Sequence, residues 1–225
     1  MTLPSAPNWL DVDLAAVAHN TRAVLAHTRQ PLMAVVKANA YGLGAVEVGR
    51  TALQSGAVSL AVARTGDALA LRRGGIDAPV LVFGMATADE IDAAIAADLT
   101  LTLYSFESAE LLARRAAAAG RPVRVHLKVD TGFGRLGVVP EQALALAELA
   151  RDRGGIAIDG VYSHLAMADE TPDHPLTRAQ IDRFTAVLAG LRTAGFDPRW
   201  AHLTNSAGVF GLPEAHFNLV RAGSA

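Results

Sequence analysis

The sequence contains no cysteine and only two lysines among its 20 lysine and arginine residues. Without cysteine, the chain can form neither disulfide bonds nor cysteine-ligated metal sites. The two lysines, Lys37 and Lys128, each stand at the carboxyl end of an apolar run. Arginine stays protonated in proteins, whereas a lysine that is desolvated or near another cation can become a neutral nucleophile and form a Schiff base. We therefore expect the two lysines to occupy sites that need a primary amine.

The chain also lacks an excess of positive charge, a long apolar segment and a metal-binding histidine motif. Its formal net charge is -2 and its isoelectric point is about 6.4, which argues against nucleic acid as a partner. No stretch stays apolar for long enough to span a bilayer, and residues 1–7 lack the features of a signal peptide. The histidines show no HExxH-type spacing, so metal catalysis has no positive support. We expect a soluble, cytoplasmic protein without a metal or membrane partner.

Short β-type runs alternate with alanine- and leucine-rich helical patterns along the chain. The predicted strands are Leu32–Lys37, Ser59–Ala63, Val80–Phe83, Leu99–Tyr104, Val123–Val129, Gly160–His164, Ala201–Thr204 and Phe217–Arg221. The predicted helices are Leu14–Ala26, Gly44–Gln54, Ala88–Ala97, Ser108–Ala119, Glu141–Arg151 and Thr177–Ala194. Eight strands alternating with helices predict an α/β fold, a parallel sheet closed into a (β/α)8 TIM-type barrel. An open doubly wound sheet is the alternative, and the lack of a linker predicts one domain over residues 1–225.

Polar residues follow the predicted strands where a barrel carries its chemistry. Active sites of such barrels lie at the carboxyl ends of the strands, and a phosphate site is often built after strands seven and eight. Lys37 ends the first predicted strand and Lys128 lies in the fifth. Hydroxyl-bearing and small residues follow the last two strands, where backbone N–H groups can approach a phosphate; they are Thr204, Asn205, Ser206, Gly208, Gly223 and Ser224. A Schiff-base lysine with a phosphate cup and no metal cluster points to pyridoxal phosphate.

One glycine-rich segment suggests a different function. Gly132 to Gly137 matches the dinucleotide-binding pattern G-x-G-x-x-G and follows a predicted strand. That pattern should open the helix after a first strand, whereas the next helix here is expected to begin only around Pro140. We therefore do not favour dinucleotide binding.

Several segments, in order along the chain, resemble motifs of the alanine racemases. Ala34-Val-Val-Lys-Ala-Asn-Ala-Tyr-Gly-Leu-Gly44 looks like their cofactor-lysine segment, and His126-Leu-Lys-Val-Asp-Thr-Gly-Phe-Gly-Arg-Leu-Gly137 is similar to their second signature. Further matches are the opening Trp9 to Asn20, Ser163-His164, Asn205-Ser206-Ala207 and Val220-Arg-Ala-Gly223. The resemblance covers nearly the whole chain, and an ordered set of this kind is far more specific than one short motif.

The resemblance implies how the cofactor would be held. Lys37 would carry pyridoxal 5'-phosphate as an internal aldimine and act as a base on one face of the substrate Cα. Tyr41 and Ser206 would bind the phosphate through their hydroxyls, with help from the backbone N–H groups of Gly223 and Ser224. Taken without the family, Tyr41 is equally typical of a loop aromatic and Ser206 of a helix cap.

The resemblance also implies roles around the cofactor ring. Arg221 would face the pyridine nitrogen and leave it largely unprotonated, which weakens the ring as an electron sink and restrains transamination. His164 would hydrogen-bond Arg221, although a histidine in this position is more often simply part of a core. Arg135 would lie near the cofactor's phenolic oxygen and the substrate carboxylate, the alternative being an ion pair with Asp130. Lys128 resembles the family lysine that can be carbamylated to position Arg135, with a plain salt bridge as the alternative.

The function implied by the resemblance is the interconversion of L-alanine and D-alanine, which supplies D-alanine for cell-wall synthesis, in a homodimer of the complete protein. Family members continue beyond strand eight into a β-rich domain that supplies a tyrosine as the second base. We expect this chain to lack the last barrel helix, that domain and hence the second base, so that it racemises poorly alone. A single-domain pyridoxal phosphate carrier, or a racemase of another amino acid such as serine or lysine, remains an alternative.

Overall fold

The computed structural model describes residues 9–171 and 174–224, so the expectation for residues 1–7 lies outside the described residues. The strands are β1 (Leu32–Val35), β2 (Ser59–Val62), β3 (Val80–Val82), β4 (Thr100–Leu103), β5 (Val123–Lys128), β6 (Ile156–Tyr162), β7 (Trp200–His202) and β8 (Val220–Ala222). The α-helical segments are α1 (Leu14–Thr28), α2 (Lys37–Tyr41), α3 (Ala45–Gln54), α4 (Thr65–Arg73), α5 (Ala88–Ala96), α6 (Phe106–Ala119), α7 (Ala143–Arg153), α8 (Pro175–Thr193) and α9 (Ser206–Gly211).

The strands form one parallel sheet in the order β7-β6-β5-β4-β3-β2-β1-β8. Because β8 pairs with β1, the ring is complete except for the ladder between β7 and β8. Asn218, just before β8, bridges this seam: its backbone N–H donates to the Ala201 carbonyl at 3.4 Å, and its Oδ1 accepts from the Ala201 N–H at 2.7 Å. The fold is therefore a nearly closed (β/α)8 barrel, as predicted, and an open doubly wound sheet is excluded.

Each strand differs from its predicted bounds at one or both ends, and three of these differences have clear local reasons. β1 ends at Val35 because the chain enters a left-handed turn after Lys37. β6 begins at Ile156 instead of Gly160, since Ile156 and Ile158 pair with β5 and a bulge absorbs the polar residue that follows them. β8 begins at Val220 because Phe217 has a φ of 49°, which does not occur in a strand.

Three of the α-helical segments, α2, α4 and α9, were not predicted from the sequence, and α2 begins at the last residue of the first predicted strand. α4 has a glycine as its second residue and two arginines at its end, which interrupt the apolar pattern, although its Ala68 and Leu71 are fully buried. α9 is only six residues long, and two of them are glycines, which lower helix propensity. No helix of the described ranges is long and apolar enough to cross a membrane.

The barrel interior is apolar on one side and polar on the other. Side chains alternate between the two faces of a strand, and the alternate residues Met33, Ala61 and Leu81 of β1 to β3 form a small apolar cluster with Leu219. On β4 to β8, buried residues that contact one another are polar or charged: Thr102, His126, Lys128, Tyr162, His202 and Arg221. The polar side leads to the carboxyl ends of the strands, where the predicted site lies.

Candidate functional site

A cavity of about 570 Å³ opens at the carboxyl ends of the barrel strands. The residues for which the resemblance implies a role all line this cavity: Lys37, Tyr41, Lys128, Arg135, His164, Ser206, Arg221, Gly223 and Ser224. Thr204 and Gly208, which the sequence also placed after the seventh strand, do not line it. They come from the ends of β1, β5, β6, β7 and β8, which are far apart in sequence. The parallel closed sheet brings them together, as a (β/α)8 barrel does for its catalytic residues.

Lys37 is presented to the cavity by α2, which is a left-handed turn. The four residues 38–41 have φ values of 51° to 56° although none is glycine, and this conformation costs roughly 1–2 kcal/mol per residue. The turn is held by the Asn39 side chain, whose Oδ1 accepts from the Ala45 N–H at 2.9 Å. It curls Tyr41 back beneath the lysine, so that Lys37 Nζ lies 5.9 Å from the centre of the Tyr41 ring. Strain of this kind is concentrated at functional sites.

Hydroxyl and backbone N–H groups converge after β7 and β8. Ser206 Oγ accepts from the backbone N–H groups of Gly223 and Ser224, each at 3.2 Å, and from the Ser224 hydroxyl at 3.3 Å. Gly223 packs so closely on the first strand that a Cβ there would overlap the Tyr41 hydroxyl. Burial raises the pKa of Tyr41, which keeps its hydroxyl protonated as a donor. This cup offers the donors that a phosphate group binds.

Arg221 is only 3% exposed and is held by neutral acceptors. Its Nη1 donates to His202 Nδ1 at 2.7 Å, and its Nη2 donates to the carbonyls of Ser163 and Leu203 at 2.9 and 3.0 Å. Nη2 also lies 3.2 Å from His164 Nδ1. Burial lowers the pKa of Arg221 to about 10, so the guanidinium stays charged at neutral pH. Burial and the Arg221 charge lower the pKa of His164 to about 3 and that of His202 well below its ordinary value, so both rings are neutral.

Arg135 is carried by a loop that is built around the Asp130 carboxylate. That carboxylate accepts from the backbone N–H groups of Gly132, Phe133, Gly134 and Arg135 at 2.8 to 3.1 Å. Burial alone would raise the pKa of Asp130, but these donors hold it below its ordinary value. The Arg135 guanidinium lies 4.3 Å from the centre of the Phe133 ring, and within the described residues it forms no ion pair. The alternative of an Asp130–Arg135 side-chain ion pair is therefore not observed.

The glycines of this loop are needed for its backbone conformation and do not form a dinucleotide-binding motif. Gly132, Gly134 and Gly137 have φ values of 136°, 77° and 112°. A Cβ at Gly137 would lie 2.7 Å from the Lys128 carbonyl oxygen, so the loop can return to β5 only with glycine there. The next α-helix begins at Ala143, after a 3₁₀ turn from Pro140 to Gln142, so the pattern does not open a helix.

Lys128 is 5% exposed and lies within the polar side of the barrel. Its Nζ donates to the Val129 carbonyl at 3.0 Å and lies 5.3 Å from the centre of the Tyr162 ring. Burial, followed by the Arg221 charge, lowers the pKa of Lys128 to about 7, although Asp130 opposes the shift. No ion pair of Lys128 occurs in the part of the chain that the structure describes. A partly neutral amine in this position can react with carbon dioxide, whereas the salt-bridge alternative is not observed.

The shifted pKa of Lys128 makes the stability of the chain depend on pH. The pKa is 10.5 in an unperturbed lysine and about 7 in the folded chain, so the unfolded chain binds more protons between these values. Its free energy of unfolding should therefore rise with pH across pH 7 to 9, by at most about 1.4 kcal/mol per pH unit. We expect Lys128→Met to remove most of this rise in urea unfolding curves recorded without carbon dioxide. An unchanged slope in the variant would show that Lys128 is fully protonated when folded.

The cavity is also lined by residues that were not predicted from the sequence. Tyr162 is buried beneath it, its hydroxyl lies 2.9 Å from Thr102 Oγ1, and its ring stacks on His202 with the centroids 4.9 Å apart. Burial raises the pKa of Tyr162 to about 12. Tyr162 lies two residues before His164, so the alternation of side chains along a strand predicts that both face the same side of the sheet. Met85 and Asp169 lie in loops, where no pattern in the sequence marks them.

Comparisons with known proteins identify the family of this chain. A family model described as the alanine racemase N-terminal domain matches residues 12–225. The chain is 46% identical over 221 residues to the alanine racemase of Symbiobacterium thermophilum, covering 97% of this chain and 58% of that protein. It is 41% identical over 222 residues to the alanine racemase of Methanococcus maripaludis, covering 97% of this chain and 59% of that protein. The chain thus spans somewhat more than half the length of the relatives it matches.

Solved structures give the same answer. The crystal structure of alanine racemase from a D-cycloserine-producing Streptomyces lavendulae superposes with a TM-score of 0.90 at 40% identity, over 94% of this chain and 56% of that one. The alanine racemase of Bacillus anthracis, with bound L-Ala-P, superposes with a TM-score of 0.88 at 33% identity, over 97% of this chain and 58% of that one. Because the family model matches most of the chain and the relatives are similar in both sequence and fold, the chain belongs to the alanine racemase family, of which it contains the N-terminal barrel domain.

Proposed function

We propose that this chain is the cofactor-binding barrel of an alanine racemase, with pyridoxal 5'-phosphate attached to Lys37, and that it forms one domain over residues 1–225. Alanine racemases use this cofactor. The proposal rests on one observation: an exposed lysine, a cup of N–H and hydroxyl donors and a buried guanidinium line the same cavity. This combination suits an aldehyde, a phosphate and a pyridine nitrogen on one small molecule.

The residues present fit the cofactor. The phosphate would be bound by the hydroxyls of Tyr41, Ser206 and Ser224 and by the N–H groups of Gly223 and Ser224. Because Gly223 has no Cβ, the phosphate can approach the backbone there closely. Arg221 would face the ring nitrogen as a hydrogen-bond donor that keeps its own proton at neutral pH. The cofactor, when bound, supplies a conjugated ring that takes up the charge left when the substrate Cα loses a proton.

The chain's own residues then divide the work on the substrate. Lys37 Nζ would remove or return the Cα proton on one face of alanine, and the exposed guanidinium of Arg135 would bind the carboxylate. Carbamylation of Lys128 would turn a cation into an anion next to the Arg135 loop and orient that arginine. His164 would hold Arg221 through its Nδ1.

Racemisation needs a second base on the opposite face of Cα, and the tyrosines of the described cavity are not free for that role. Tyr41 lies against the phosphate cup, and the Tyr162 hydroxyl is buried against Thr102 with a raised pKa. We infer that the second base is a tyrosine supplied from outside this cavity, across the interface of a homodimer. The complete enzyme would act in the cytoplasm and supply D-alanine for cell-wall synthesis.

One experiment tests the division of the two bases. We expect the 225-residue chain, loaded with pyridoxal phosphate in deuterium oxide, to exchange the Cα proton of one alanine enantiomer. Racemisation should be slower than this exchange by about 100-fold or more, because general acid–base catalysis contributes about 10²- to 10⁴-fold. Proton NMR measures the exchange, and chiral chromatography measures the racemisation. Equal rates for the two processes would show that the described cavity already contains both bases.

The same experiment separates the alternatives. A non-catalytic carrier would bind the cofactor without exchanging the Cα proton of any amino acid. The guanidinium of Arg135, which faces the cavity free of ion pairs within the described residues, favours a site for an amino-acid carboxylate over a carrier. Parallel reactions with serine and lysine would identify a racemase of another substrate.

A further inference from the structure

A line of buried polar side chains runs away from the cavity through the barrel interior. It begins at Arg221 on β8, continues through His202 on β7 and reaches His126 on β5, and all three are at most 3% exposed. It ends near Asp159 on β6, whose side chain is 34% exposed. Neither His126 nor Asp159 lines the cavity.

The donors along this line can be arranged in only one direction. Arginine is only a donor, so His202 Nδ1, 2.7 Å from Arg221 Nη1, must accept. The neutral His202 ring then carries its proton on Nε2, which lies 2.7 Å from His126 Nδ1 and donates to it. His126 in turn carries its proton on Nε2, which faces Asp159 Oδ2 at 4.0 Å. The arginine thus sets the tautomers of two histidines in series.

This arrangement compensates for the absence of a direct counter-ion. Among the described residues, no carboxylate forms an ion pair with Arg221. Each imidazole instead turns its unprotonated nitrogen toward the guanidinium and its N–H away from it, so both ring dipoles stabilise the cation. Asp159 supplies a negative charge at the far end of the line.

The strands are shaped to hold these rings. The β5–β6 register pairs Val125 with Ile158 and His126 with Gly160, so Asp159 is the extra residue of a bulge. Bulges redirect side chains, and this one places Asp159 next to the His126 ring. A Cβ at Gly160 would lie 2.7 Å from that ring, so the glycine makes room for it. The parallel stacking of Tyr162 on His202 further limits rotation of the second ring.

We propose that His126, with Asp159 behind it, is a positioning residue that orients Arg221 through His202. The functional part of this inference rests on the proposed function, in which Arg221 faces the ring nitrogen of the cofactor. Loss of the His126 acceptor would leave the His202 N–H without a buried partner, and the imidazole and guanidinium would both lose their fixed orientation.

The first test uses the chain without cofactor, labelled with ¹⁵N on the histidine rings. We expect a coupling across the hydrogen bond between His202 Nε2 and His126 Nδ1, together with a slowly exchanging, downfield N–H proton on His202. His126→Asn keeps an acceptor near the position of Nδ1 and should keep the downfield proton, whereas His126→Leu should lose it. A His126 ring that carries its proton on Nδ1 in the wild-type chain would overturn the proposal.

The second test measures the affinity for pyridoxal phosphate by fluorescence. We expect about tenfold weaker binding for His126→Leu and near wild-type binding for His126→Asn, since a buried donor without a partner weakens the site it supports. If His126→Leu does not fold, Asp159→Asn on the half-buried bulge provides the test. This variant should shift the His126 Nε2 resonance and weaken binding of the cofactor about threefold. The exposed Asp152→Asn is the control and should change neither. Unchanged resonance and affinity in Asp159→Asn would overturn the proposal. Failure of the wild-type chain to bind the cofactor would instead contradict the proposed function. The measurements on the histidine rings would then decide whether the hydrogen-bonded line exists.

Discussion

Replacing Lys37 with alanine is expected to abolish covalent attachment of pyridoxal phosphate to the chain. Lys37 is exposed and lines the cavity. The other lysine, Lys128, is buried, and its Nζ donates a hydrogen bond to the Val129 carbonyl. The wild-type chain should acquire a visible absorption band that survives gel filtration and is fixed by borohydride. The variant should show neither, because no other amine side chain is placed to attack the aldehyde.

Two controls accompany this variant. Lys37→Arg keeps the positive charge but cannot form the covalent bond, so it should behave like Lys37→Ala. Lys128→Met removes the other lysine and should keep the borohydride-fixed band. A band of wild-type strength in Lys37→Ala would show that the cofactor is attached elsewhere.

Gly223→Ala is expected to weaken the binding of pyridoxal phosphate by about 100-fold. The added Cβ would overlap the Tyr41 hydroxyl and lie 2.9 Å from the Val35 carbonyl oxygen. The strand carbonyl cannot move, so Tyr41 would have to leave the cup and would lose the hydrogen bond that we propose it makes to the phosphate. A hydrogen bond to a charged group contributes about 1.5–3 kcal/mol, and about 1.4 kcal/mol corresponds to a tenfold change in affinity. Titration followed by absorbance measures the effect.

Gly190→Ala is the matched control for this substitution. Gly190 lies within helix α8, and a Cβ there would meet nothing within 4 Å. Alanine should therefore stabilise the helix by about 0.5–1 kcal/mol and leave cofactor affinity unchanged. If Gly223→Ala also bound the cofactor with wild-type affinity, the cup after β7 and β8 would not be the phosphate site.

The architecture could be predicted because its signals are local and repeated. Eight apolar runs separated by helical patterns require a parallel sheet with helices on its outside, and the eighth strand pairs with the first. Lys37, Arg221 and Gly223 could be placed near one another because each follows or ends a predicted strand, and the carboxyl ends of barrel strands share one face.

Other features depend on contacts that no local pattern encodes. The left-handed turn at residues 38–41 contains alanine and tyrosine, which ordinarily avoid that conformation, and it is held by the Asn39 side chain reaching the next helix. The bulge at Asp159 could not be predicted, because a polar residue within a short apolar run is typical of the end of a strand. The pairing of His126 with His202 joins residues 76 positions apart and becomes visible only when the barrel closes.

The most direct test of cofactor attachment at Lys37 is to load the wild-type chain with pyridoxal phosphate, reduce it with borohydride, digest it and identify the modified peptide by mass spectrometry. We predict a single modified residue, Lys37, in the segment from Gln30 to Arg50. Modification of Lys128 instead, or a chain that remains unmodified at saturating cofactor, would contradict it.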